Sequence, residues 1–209
     1  MMPNDMNDIR NLPFSASAAK LAGILCLTTM LAACEESQAQ NTDANLTKVV
    51  STFTADVNND GVADRVDLVF DGVTDVDLNI YLGKKGQEEP DEAPSFVKKA
   101  IAFHGNITGQ NATLEIGKAG AIQVISMNEA AGNDQWQKTL IISYVKNEFV
   151  VSALAYQESD QKNKADIESC DINFVSGRSF RDGKAFVGKV ELIPLKDWEP
   201  DFLPPACEF

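Results

Sequence analysis

The feature that most constrains this chain is a repeat of two. In "DVDLNIYL", Val76, Leu78 and Ile80 alternate with Asp75, Asp77 and Asn79. Successive side chains of an extended strand point to opposite faces, so this pattern describes a strand with one buried side and one wet side. "RVDLVF" repeats it, with Val66, Leu68 and Phe70 facing inward and Arg65 and Asp67 outward. The runs "KVVSTFTA", "FVKKAIAF", "ATLEIGK", "AIQVISM", "CDINFVSG" and "SFRDGKAFVGKVELI" are of the same kind, and turn residues separate them. "WQKTLIISYVKNEFVVSALAYQ" reads as a hairpin whose arms meet near Lys146-Asn147, and Asp182-Gly183 is a type I′ turn signal. Past residue 45 no stretch carries a persuasive helical period. One segment, "APSFVKKAIAF", stays open to a short helix, because Phe96, Ala100 and Phe103 fall near one helical face. The expectation is an all-β, antiparallel single domain over residues 47–209, built as a meander, sandwich or open barrel.

The N-terminal segment is of another kind. "LAGILCLTTMLAAC" contains an apolar run, residues 21–33, that ends at Cys34. It falls short of the roughly 20 residues a helix needs to span a bilayer, and it suits the core of a signal peptide. Leu31-Ala32-Ala33-Cys34 resembles a bacterial lipobox, in which the cysteine is lipidated and becomes the first residue of the mature protein. The resemblance implies a lipoprotein signal peptide over residues 1–33 and lipidation at Cys34. The alternative is an ordinary signal peptide cut after a small-x-small site, with Cys34 incidental. Glu35 replaces the aspartate that marks inner-membrane retention in lipoproteins, so the same resemblance implies the outer membrane of a Gram-negative cell, facing periplasm or exterior. Residues 34–46 then form a lipidated cysteine and a polar, flexible linker, "EESQAQNTDAN" being without periodicity. Several acyl chains anchor such a protein without spanning the bilayer.

Charge narrows the partners. The formal net charge is −13. Residues 1–33 carry Asp5, Asp8, Arg10 and Lys20, so their removal leaves that value unchanged. Bulk electrostatics at this charge opposes binding to nucleic acid or to anionic lipid headgroups. Cationic partners stay open: divalent metal ions, basic peptides and basic proteins. With Cys26 in the signal segment and Cys34 assigned to lipid, Cys170 and Cys207 are left to pair in an oxidising compartment. Two separate free thiols are the alternative.

"DVNNDGVAD", residues 56–64, crowds three aspartates, two asparagines and a glycine into nine positions. Ca²⁺ takes six to eight hard oxygens, and alternate side chains of a tight loop can converge on one point. Asp56, Asn58, Asp60, the carbonyl of Val62, and Asp64 form the candidate ligand set, with Gly61 at the bend. Without a cation the three carboxylates would repel one another in that geometry. The spacing resembles the D-x-N-x-D-G-x-x-D loop of FG-GAP and VCBS-type repeats, the calcium loops of integrin α-subunit propellers. There the loop joins two strands, as "RVDLVF" suggests here. Those families carry many copies, whereas this loop occurs once, so neither a propeller nor adhesion follows. Two other readings compete. In a dockerin or EF-hand, Asp67 would fall at the twelfth position and helices would flank the loop. In a solvated turn, the Asp and Asn side chains would merely cap backbone amides.

Catalytic constellations are sparse. His104 is the one histidine, and beside a turn it reads as a surface residue; with no spare cysteine, zinc sites of usual composition are excluded. "SFVK", residues 95–98, matches S-x-x-K without the companion motifs of that family. Trp136 and Trp198 read as packing residues. The later segments and the tail "DWEPDFLPPAC" resemble small exported bacterial proteins with a single aspartate loop and no assigned activity. The expected function is therefore non-enzymatic: a lipid-anchored envelope domain, stabilised by calcium, in a binding or structural role. The alternative is an acidic inhibitor or scavenger of a basic protein such as a lysozyme.

Overall fold

A computed structural model describes residues 48–130, 135–159, 167–187 and 191–207. Residues 1–47, which include the expected signal peptide, Cys34 and the expected linker, lie outside these residues. Every regular element is a strand or a single 3₁₀ turn, and the strands form two antiparallel sheets, so the fold is all-β.

The first sheet contains β1 (Lys48–Ala55), β2 (Asp64–Phe70), β3 (Asp75–Tyr81) and β4 (Phe96–Phe103), in chain order. The period of two sets its register. Val66 stands opposite Ile80, Leu68 opposite Leu78 and Phe70 opposite Val76, so the alternating apolar residues share one face. Val66, Leu68, Val76, Leu78 and Ile80 are all fully buried.

The run "FVKKAIAF" is the strand β4, as expected, and the helical alternative falls away. It pairs with β3, and its register slips between Lys98 and Ala102. Asp77 explains the slip. Its Oδ1 accepts the amide proton of Ala100 at 3.0 Å, and Lys99 Nζ donates to Oδ2. Ala100 takes a left-handed φ of 48° to present that amide. The alternation placed Asp77 in water, yet it is only 9% exposed, because the bulge folds over it.

The second sheet is a longer meander. It comprises β5 (Gln110–Ile116), β6 (Ile122–Asn128), β7 (Gln135–Val145), β8 (Glu148–Ser159), β9 (Ile167–Asn173), β10 (Arg178–Arg181) and β11 (Lys184–Val187), each pairing with the next. β12 (Ile193–Pro194) adds to β8 beside residues 150–151, where β9 does not reach. The β7–β8 turn has Lys146 and Asn147 at φ 52° and 65°, and the β10–β11 turn has Asp182 and Gly183 at 49° and 71°. Two consecutive left-handed residues are the type I′ signature, whose twist matches that of the flanking strands.

Both sheets contribute to one apolar core. Leu68, Leu78 and Ile101 from the first meet Ile122, Leu140, Ile142 and Leu154 from the second. Side-chain hydrogen bonds also join them. Leu114 N donates to Ser51 Oγ at 2.9 Å, and Ser126 Oγ donates to the Phe103 carbonyl at 2.8 Å. After β12 the tail buries Leu195 and Trp198 completely and ends on the Cys170–Cys207 disulfide, with Cα atoms 5.4 Å apart.

Candidate cation loop

Residues 56–63 connect β1 to β2, closing a hairpin above the Ala55–Asp64 pair. Strands flank the loop on both sides, so the EF-hand and dockerin reading is overturned. Asp67, the twelfth position of that reading, sits within β2. There it accepts from Thr52 Oγ1 at 2.7 Å and pairs with Arg65 at 3.3 Å. β-branched Val66 and Val69, with Phe70, favour the pleated conformation that turns Asp67 away from the loop.

The loop tip gathers oxygens. Asp56 Oδ1 and Asn58 Oδ1 both accept the amide proton of Asp60, at 3.1 and 3.0 Å. Asp56 Oδ2 accepts from Gly61 N at 2.9 Å, and Asp60 Oδ1 from Val62 N at 2.8 Å. Asn58 Nδ2 donates to Asp60 Oδ2 at 2.8 Å. Asn59 and Gly61, with φ of 61° and 83°, supply the bends that bring these groups to one side.

Asp64 plays a different part. It is fully buried, and its carboxylate bridges two backbone segments: Oδ2 accepts from Val57 N at 2.9 Å and Oδ1 from Gly83 N at 2.8 Å. Burial pushes its pKa above the usual carboxylate value, the Gly83 and Val57 amides oppose that rise, and the Asp60 charge adds to it. The loop is thus clamped to the end of β3. Gly83 escaped the sequence reading because it lies 19 residues beyond Asp64. Its necessity is steric, since a Cβ there would lie 2.2 Å from the Ala63 carbonyl oxygen.

Asp56, Asn58 and Asp60 therefore come together, Val62 is tied to them through its amide, and Asp64 lies beneath as a clamp. Among the described residues no three His, Cys, Asp or Glu side chains form a group that could hold a metal ion. Asp56, Asp60 and Asp64, the three carboxylates of the expected ligand set, accordingly do not form such a group.

His104 departs from the surface role expected of it. Its ring packs on Phe70 with centroids 4.9 Å apart, and Nδ1 accepts the Ala112 amide proton at 3.0 Å. It ties the end of β4 to β5. Burial, then the charge of Lys48, lowers its pKa. Comparison with family models, curated proteins and solved structures finds no match.

Proposed function

We propose that the chain is a non-enzymatic, lipid-anchored protein of the cell envelope, and that a calcium ion at residues 56–64 stiffens its β fold for a binding or structural role. One observation carries the calcium reading. The side-chain oxygens of Asp56 and Asn58 converge on a single amide, with the Asp60 carboxylate within hydrogen-bond distance of Asn58. Each carboxylate oxygen has two lone-pair sites, so an amide bond leaves acceptor capacity for a cation. Asp56, Asn58, Asp60 and the Val62 carbonyl would hold the ion from the exposed tip, with Asp64 below. The ion would supply positive charge between carboxylates and fix the first hairpin; no catalytic step is assigned to it.

The anchor reading is supported by the lipobox resemblance at Cys34 and by the paired cysteines, which suit an oxidising compartment. Thermal unfolding with chelator and with calcium tests the ion. The midpoint should rise in roughly millimolar calcium, the range of extracellular sites. Asp56→Ala and Asp60→Ala should abolish the rise. A midpoint that ignores both calcium and substitution would leave the loop an ordinary capped turn.

A further inference from the structure

A second feature stands apart from the cation loop. Where β3, β4, β6, β7 and β8 meet the C-terminal tail, the protein forms a half-open cavity of about 580 Å³. That is within the roughly 300–1,000 Å³ typical of small-molecule sites. Its lining combines the half-buried Phe103, Trp136 and Leu203 with Asp75 and Asp201. Trp136 is braced by Phe103, with ring centroids 5.7 Å apart.

The charges select the occupant. Asp75 receives a hydroxyl bond from Thr74 at 3.3 Å, and among the described residues it has no salt bridge. Burial, then the charges of Asp71, Asp201 and Asp77, pushes its pKa upward. Its electrostatic surroundings are thus acidic and short of a counterion. Lys138 also lines the cavity, but its ammonium is already committed. It donates to the carbonyls of Pro200 at 2.8 Å and Phe202 at 3.3 Å, and Asp201 lies in its field. That lysine fastens the tail over the opening with two of its three donors, and with Asp75 and Asp201 it leaves the formal charge facing the cavity one negative. A bound cation would offset the Asp75–Asp201 repulsion, place its apolar body against the half-buried Phe103 and Leu203, and meet the Trp136 ring.

We infer that this cavity is a binding site for a small amphipathic organic cation, an amine carrying an apolar or aromatic body. The inference does not rest on the calcium loop and holds whether or not an ion is bound there. The net charge of −13 would also concentrate cations near the opening.

Calorimetric titration of the full folded domain with a charge-reversed pair of probes tests it, with and without calcium. 1-Naphthylmethylamine should bind with a Kd of about 1 mM or tighter, and 1-naphthylacetate at least about tenfold more weakly. Asp75→Asn and Asp201→Asn should each weaken the amine about threefold or more, with thermal midpoints at or above that of the parent protein. Trp136→Leu, which keeps an apolar wall, should weaken it through loss of the ring face. The inference is overturned if the acid binds as well as the amine, if no amine binding is seen at about 5 mM, or if the Asp75→Asn, Asp201→Asn double variant binds it undiminished.

Discussion

A carboxylate buried between two amides is held by geometry that a neutral amide cannot copy. Asp64 accepts from Val57 and Gly83 with separate oxygens. In Asp64→Asn one oxygen becomes an NH₂ group that faces a backbone N–H, so one bond is lost and two donors are opposed. The expected cost is about 2 kcal/mol by urea denaturation, and it should persist in chelator because the clamp does not need the ion. A loss that vanishes on chelation would make Asp64 a ligand and nothing more. His104 makes a comparable contribution through its neutral ring, whose Nδ1 must stay unprotonated to accept from Ala112. Its folded pKa is lowered from the usual 6.5. As pH falls through that value, the unfolded chain takes the proton first, so the stability from His104 is present above about 6.5 and drains away below it. Between pH 7.5 and 5.5, on the order of the span of a histidine titration, the parent protein should lose more stability than His104→Gln. Equal slopes for the two would remove the histidine from the account.

At the level of strands, the period of two predicts which residues are inside but not where a strand must break its own rule. β2 and β3 bury the apolar residues that alternation selects, Phe70 only in part. Lys146-Asn147 and Asp182-Gly183 form the left-handed turns that their chemistry favours. β4 is different. It reads as a strand, with a helical alternative on Phe96, Ala100 and Phe103, whereas the bulge at Ala100 is imposed by Asp77, 23 residues earlier. No window around Ala100 contains that information. The same holds for the candidate loop, where the ligand spacing is local and readable but the Asp64–Gly83 clamp is not. The partition into two sheets was equally hidden, since alternation marks an inward face without naming the neighbouring strand. The bulge yields a test of its own. Ala100 occupies a conformation that costs an L-residue roughly 1–2 kcal/mol, so Ala100→Gly should be neutral or stabilising despite the greater freedom of glycine when unfolded. Asp77→Ala should destabilise by about 1–2 kcal/mol, because it strands a half-buried amide and frees Lys99. If Ala100→Gly destabilises by as much as an ordinary strand glycine, the bulge is unstrained.

Across the whole molecule, the tail closes the second sheet with little backbone pairing among the described residues. β12 contributes only Ile193 and Pro194 against β8. Retention of residues 191–207 therefore depends on the burial of Leu195 and Trp198, on Lys138 gripping the carbonyls of Pro200 and Phe202, and on the bridge to Cys170. The bridge closes a sequence separation of 37 residues, for which the chain-entropy model gives roughly 3–4 kcal/mol. Loss of that constraint should act first on the tail, because the inner strands keep their hydrogen-bonded neighbours on both sides. In Cys170→Ala, Cys207→Ala, the emission of Trp198, isolated by Trp136→Phe, should shift to the red at a lower urea concentration than the far-ultraviolet signal of the sheets. The same two probes should coincide in the bridged protein. Such a split is local opening of a weakly tethered segment rather than global unfolding. It would also open the cavity under Pro200 and Asp201, so amine binding should weaken in parallel with the tryptophan shift. Coincident probes in the unbridged protein would place the tail within the cooperative core and leave the disulfide only its effect on the unfolded chain.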